Sequence, residues 1–227
     1  TGIYDSSEVG YDGSVTVVGV LDTGLDYTHK AFSHMPKNTA DIWDKDYVEK
    51  QFGGTLAKTE RMPSATVDDV YVNAKVPYAF DYADNDCNVY PSYSTHGTHV
   101  AGIIAGRDED KTVGTDEETG EEETFVGVAP EAQLVIMKVF TDDLDSKLLG
   151  GADTDDILAA VHDCAVLGVD VINMSLGSSG GFSSESTNEF LSFVYDKVEK
   201  LGISLIVAAG NESSSGYGGG NGMNLAS

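Results

Sequence analysis

The chain has 227 residues, 41% of them hydrophobic and 26 of them glycine, which fits one globular α/β domain with many tight turns and a sizeable core. Its formal net charge is −25, from 38 acidic against 13 basic residues, and this argues against nucleic acid or anionic lipid as a partner, because both would be repelled. It starts at Thr1 with no apolar leader and holds no stretch long enough to cross a membrane, so no membrane insertion is expected of this segment and targeting signals are expected elsewhere in a parent chain.

The first predicted element is the apolar run Val15–Leu21, a strand ending at Asp22-Thr23-Gly24. Residues Lys37 to Ala74 have no clear period and read as a long surface excursion. A polar turn, Asp84-Asn85-Asp86-Cys87-Asn88, precedes the segment Ser94-Thr95-His96-Gly97-Thr98-His99, which opens a helix. Asp108 to Glu123 carries nine acidic residues against Lys111 alone, so about 107–124 reads as a solvated acidic surface loop, with a weaker idea that it biases a nearby cleft toward basic peptides.

Leu134–Phe140 is a second strand. The stretch Ala152–Gly168 repeats Ile157, Val161, Cys164 and Leu167 at helical steps, with Asp153 or Thr154 as cap and Gly168 as stop. Val169–Leu176 is a third strand, Ser186–Gly202 a helix opened by a Ser186-x-x-Glu189 capping box, and Ser204–Ala209 a fourth strand. Ser178–Ser183 and Glu212–Gly222 are glycine-rich and polar. Continuous apolar strands alternating with helices predict a parallel sheet, buried on both faces, with crossover helices. Two cysteines, Cys87 and Cys164, are too few for a disulfide framework and lack metal-ligand spacing.

Reactive groups in such sheets gather beyond the carboxyl ends of the strands, where Asp22 stands. An Asp-Thr-Gly there is often only an Asx turn; an aspartic protease would need two such carboxylates, and one copy occurs. His96 and His99 share a helix side, yet a zinc-protease pair needs a glutamate after the first histidine and a four-residue step, where this chain has Gly97 and a three-residue step. Asn211 after Ala208-Ala209-Gly210 either caps a turn or donates to an oxyanion. Gly177-Ser178-Ser179-Gly180-Gly181 imitates a nucleophile elbow, but no histidine follows His162, so Ser179 reads as part of a flexible wall. An aspartate ending one strand, a histidine opening a helix and an asparagine ending another strand suit a serine protease of Asp, His, Ser order.

Val17 to Gly24, Ser94 to Gly102 and Ile206 to Asn211 resemble the catalytic-aspartate, catalytic-histidine and oxyanion-asparagine motifs of the subtilisin-like serine proteases. Val76 to Asp84, Gly127 to Leu134 and Val171 to Gly177 resemble more narrowly the bacterial cell-envelope subtilases, the lactocepin and C5a-peptidase group. The resemblance implies a subtilisin-like three-layer α/β/α fold with a mostly parallel sheet, truncated before the catalytic-serine segment. It implies Asp22 as orienter, His96 as general base and Asn211 as oxyanion donor, the last worth roughly 3 to 4 kcal/mol, a magnitude known from a subtilisin asparagine itself. Ser175-Leu176-Gly177 and Ala208-Ala209-Gly210 would line the substrate cleft, and His99 would be a structural core residue.

The family carries its serine in a Gly-Thr-Ser-Met-Ala segment that this sequence lacks; a protease-associated insert and the serine segment are expected beyond 227. The expected activity is an extracellular serine endopeptidase, secreted or wall-attached, acting on protein or peptide substrates through an acyl-enzyme, with this piece alone inactive and needing the remainder of the catalytic domain. A pseudoprotease or a peptide-binding surface module is the alternative. No cofactor is required. The typical subtilisin has an acidic calcium ligand two residues beyond a histidine, where His29-Lys30-Ala31 here offers alanine, and Asp84, Asp86 and Asn88 are the calcium-ligand candidates instead.

Overall fold

Along β1 (Val17–Asp22) every residue is buried, and its side chains divide between two apolar cores. Val17 and Leu21 enter one core and Val18 and Val20 the other, the period-two consequence of an extended chain covered on both faces. In this computed structural model, residues 11–54, 56–115, 120, 122–177, 194–208 and 211 are described.

Five parallel strands form the sheet in the order β2, β5, β1, β6, β7, where β2 is Tyr78–Asp81, β5 Gln133–Lys138, β6 Val171–Met174 and β7 Ser204–Val207. Helix Thr154–Leu167 covers one face through Ile157, Ala160, Val161, Cys164 and Leu167; helix His96–Ala105 covers the other through Ala101 and Ala105. This is the three-layer α/β/α arrangement expected from the sequence. Asp153 caps Thr154–Leu167 by accepting from the Asp155 N–H, and Gly168 ends it at φ 86°, a left-handed conformation that glycine adopts at little cost.

Three expectations need correction. Lys37 to Ala74 is not a surface excursion: it forms short helices Lys45–Gln51, Ala57–Arg61 and Val67–Val70, and Trp43, Val48, Leu56, Val67 and Val70 are buried in the larger core. Its helices are too short for a period to show. Helix Ala57–Arg61 has no cap of its own; the remote carboxylate of Asp163 accepts from the Ala57 and Lys58 N–H groups at 2.6 and 3.0 Å.

The acidic stretch is exposed but is not a loop. β3 (Arg107–Thr115) pairs antiparallel with β4 (Glu122–Val126), and two register shifts interrupt the ribbon. It springs from the carboxyl end of helix His96–Ala105, the end opposite His96. β7 is not buried on both faces: Ile206 is 54% exposed, and among the described residues β6 is its one neighbour. β2 was legible only as part of the Val76 to Asp84 resemblance. Residues 194–200 are helical, whereas the Ser186-x-x-Glu189 start, Ser179 and the Ser178–Ser183 stretch lie outside the described residues. Both cysteines are free, Cys164 buried under the sheet.

Candidate active site

β1 ends by delivering Asp22 beside Lys138 of β5. The Asp22 carboxylate is 1% exposed and accepts from the Thr23 N–H at 2.7 Å. Its two oxygens face His96 Nδ1 at 2.8 and 3.0 Å, across 74 positions of sequence. The His96 side chain is 51% exposed. With Nδ1–H donating to the carboxylate, Nε2 carries the lone pair and is the nitrogen left to take a proton from a nucleophile.

Short contacts hold the start of the helix against the end of the strand. The Thr23 hydroxyl donates to the Ser94 carbonyl at 2.8 Å and accepts from the Gly97 N–H at 2.9 Å. Thr98 Oγ1 accepts from the Asp26 N–H at 2.8 Å. A Cβ on Gly97 would strike the Gly24 carbonyl and stand 3.1 Å from Asp22 Cβ and Oδ1, so only glycine permits this approach. The expectation that His99 is a core residue is overturned: it is exposed, because the helix buries the face of Gly97, Ala101, Gly102 and Ala105.

A cavity of about 300 Å³ opens beside His96, lined by Thr23, Tyr93, Phe140, Asp142, Gly150 and Ser175 among others. Ser175 therefore joins Asp22 and His96, and its hydroxyl accepts from Asn173 Nδ2 at 3.0 Å. Leu176 is buried and Gly177 exposed. Among the described residues the cavity lining includes neither of these, nor Ala208, whose N–H donates to the Met174 carbonyl at 3.0 Å, nor exposed Asn211. Ala209 and Gly210 lie outside the described residues. Sequence reasoning missed Tyr93, Phe140, Thr141, Asp142 and Gly150; for all but Gly150 the available signal was position, immediately before the His96 motif or just after β5.

The calcium candidates separate. Asp84 joins Asp81 and Asp142, whose oxygens lie within 4.8 Å of one another, a spacing that could hold a metal ion. Asp86 instead accepts from the Asn88 N–H at 2.7 Å, and Asn88 from the Tyr90 N–H at 3.2 Å. The trio already surrounds a cation: Lys138 Nζ, 2% exposed, donates to Asp81, to Asp84 at 3.2 Å and to Asp142 at 3.0 Å. Burial alone would lower the pKa of this ammonium, but hydrogen bonds and charge from Asp81, Asp142 and Asp84 hold it above the usual lysine value. As they stand, these side chains do not fit a divalent ion, and Ala31 at the other expected ligand position is buried in an apolar core.

Comparisons with known proteins give the chain's family and fold. A profile described as the Subtilase family matches residues 13–226. Over 208 residues the chain is 36% identical to a PII-type proteinase of Lactococcus lactis subsp. cremoris, covering 91% of this chain and 10% of that protein. Over 206 residues it is 33% identical to a C5a peptidase of Streptococcus pyogenes serotype M18, covering 90% of this chain and 16% of that protein. The chain thus spans about a tenth to a sixth of the length of these relatives. Among solved structures, fervidolysin from Fervidobacterium pennivorans, a keratinolytic enzyme related to subtilisin, superposes with a TM-score of 0.56 at 21% identity, covering 95% of this chain and 24% of that one. A lanthipeptide protease superposes with a TM-score of 0.53 at 18% identity, covering 92% and 44%. At these identities the two structures establish the fold alone.

Proposed function

The chain belongs to the subtilase family, and on that premise we propose that it is the amino-terminal part of the catalytic domain of a serine endopeptidase that cleaves extracellular proteins through an acyl-enzyme. The observation that carries the reading is His96 Nδ1 set between the two oxygens of a buried Asp22 at a strand end. Asp22 fixes the imidazole tautomer and stabilises the imidazolium; His96 takes the proton of a serine hydroxyl and later returns it to the leaving amine. Asn211 supplies an amide donor to the oxyanion once the substrate is in place.

A peptide lying in extended form beside Ser175-Leu176-Gly177 and Ala208-Ala209-Gly210 would present its scissile carbonyl to this pair. The serine comes from another segment of the parent chain, since no Gly-Thr-Ser-Met-Ala occurs among the 227 residues. The likeness to the lactococcal and streptococcal proteinases supports a secreted or wall-attached location in a bacterium.

That same missing segment favours a second reading, in which the parent is a pseudoprotease or the piece is a peptide-binding surface module. Expressing the parent with and without His96→Ala and assaying casein hydrolysis separates them. Turnover by the parent that is lost with His96→Ala supports the protease; no turnover by the parent, together with retained peptide binding, supports the alternative. The 227-residue chain by itself is expected to hydrolyse nothing, and turnover by it would show that the nucleophile lies within it.

A further inference from the structure

Lys138 ends β5 directly across from Asp22, and the strand end is tied to both sides of the site: the Tyr82 N–H donates to the Lys138 carbonyl at 2.8 Å, and the N–H of the next residue, Val139, donates to the Asp22 carbonyl at 3.0 Å. An ammonium has three donors, and here three carboxylate oxygens receive them, one each from Asp81, Asp84 and Asp142. The remaining oxygens are engaged as well. Asp81 Oδ1 accepts from the Ala83 and Asp84 N–H groups, both at 3.0 Å; Asp84 Oδ1 accepts from the Thr141 hydroxyl; Asp142 Oδ2 accepts from the Ser92 N–H at 3.0 Å.

This last bond gives the cluster its reach. Ser92 belongs to the segment that leads through Tyr93 and Ser94 into His96, and Tyr93, Ser94, His96, Thr141 and Asp142 line one cavity. Three carboxylates, of which Asp81 is 1% and Asp84 and Asp142 are each 19% exposed, repel strongly when all are ionised, and burial already pushes the Asp81 pKa up to about 7, so a cation is what lets all three stay charged this close together.

We propose that Lys138 is a built-in counter-ion standing where the same three carboxylates would otherwise collect a divalent cation, and that it is a positioning residue for the cleft, holding Asp142 and through it the Ser92 to His96 segment. The inference goes beyond the protease reading and does not depend on turnover. Calcium takes six to eight oxygen ligands, so in the native chain it would have to displace the ammonium; with the ammonium removed, three preplaced carboxylates and the Thr141 hydroxyl become available.

The test titrates calcium into the 227-residue chain as wild type, Lys138→Met, Asp84→Asn and the double variant, following calorimetry, melting temperature and amide exchange at Ser92. Methionine keeps most of the stem and removes the charge. Lys138→Met is expected to melt lower without calcium and to bind one calcium ion that raises its melting temperature, a gain absent from Lys138→Met/Asp84→Asn. Exchange at Ser92 is expected to be about tenfold faster in calcium-free Lys138→Met, the loss of roughly one charge-assisted hydrogen bond, and to slow again with calcium.

Wild type and Asp84→Asn should show the same calcium response. A wild-type response that Asp84→Asn removes would overturn the proposal, as would a folded Lys138→Met that gains no calcium site or leaves Ser92 exchange unchanged. Should Lys138→Met fold only in calcium, that dependence supports the proposal if the double variant lacks it; failure of Lys138→Met to fold even in calcium overturns it.

Discussion

Gly97 lies so close to Gly24 that its missing side chain is what lets the helix carrying His96 abut the turn that follows Asp22. The Asp22–His96 geometry therefore depends on two glycines that have no side chain to contribute to it. Gly97→Ala should cost about 2 kcal/mol, in the range for forcing a methyl group into a packed site. In the parent enzyme it should also lower kcat, because the new Cβ pushes on Asp22 itself. Chemical denaturation measures the first effect and steady-state kinetics the second; unchanged kcat would show that the helix start yields without moving His96.

Asp22→Asn in the parent enzyme tests the tautomer argument. The amide nitrogen can no longer accept from Nδ1–H, so the imidazole is held the wrong way round while the packing is retained. A fall in kcat of about ten-thousandfold with KM nearly constant is expected. A loss below tenfold would remove Asp22 from the role of orienter.

Asp163 is fully buried and serves four donors: the Ala57 and Lys58 N–H groups, the Tyr82 hydroxyl at 2.7 Å and His162 Nδ1 at 2.9 Å. Asp163→Asn turns one acceptor oxygen into a donor facing other donors. The loss should be about 2 to 4 kcal/mol, read by urea denaturation, with helix Ala57–Arg61 the first to gain amide exchange.

Lys75 gives a pH signature. It is fully buried, donates to the Pro130 and Ala132 carbonyls at 2.7 Å each, and burial pushes its pKa down to about 8 from 10.5. Below pH 8 both folded and unfolded chains carry the proton and the difference between them is flat. Between pH 8 and 10.5 the folded chain sheds the proton while the unfolded chain keeps it, so stability rises with pH. The stability of wild type minus that of Lys75→Met should climb by about 3 kcal/mol across that window. A flat difference would mean that the amine stays protonated in the fold.

The parts of the molecule legible in the sequence are those in which one signal dominates. β1, β5, β6 and helix Thr154–Leu167 are long apolar runs or clear helical periods buried in the cores, and Asp22 and His96 sit in motifs that extend well beyond one residue. The helices between Lys45 and Val70 were illegible because each is only one or two turns long, and Ala57–Arg61 is capped by the remote Asp163 rather than by a neighbour in sequence. The ribbon of β3 and β4 was hidden because its acidic composition resembles that of a solvated loop, while its base is fixed by main-chain bonds such as the Gly127 N–H to the Gly106 carbonyl at 2.7 Å. Lys138 escaped notice for a related reason: a lysine at the end of an apolar strand has no local mark, and its three partners come from Asp81, Asp84 and Asp142.

The order of strands in the sheet also sets a timetable for synthesis. Of the five strands in the sheet, the one bearing Asp22 is made before the others, yet its neighbours are β5, where Val18 pairs with Leu134, and β6, where Val18 pairs with Val171. Throughout the making of the His96 helix and the acidic ribbon, β1 has no strand partner, and its Val17 and Leu21 face lacks the helix Thr154–Leu167 that covers it. The centre of the sheet is thus completed only after residues far downstream of both Asp22 and His96 have been translated.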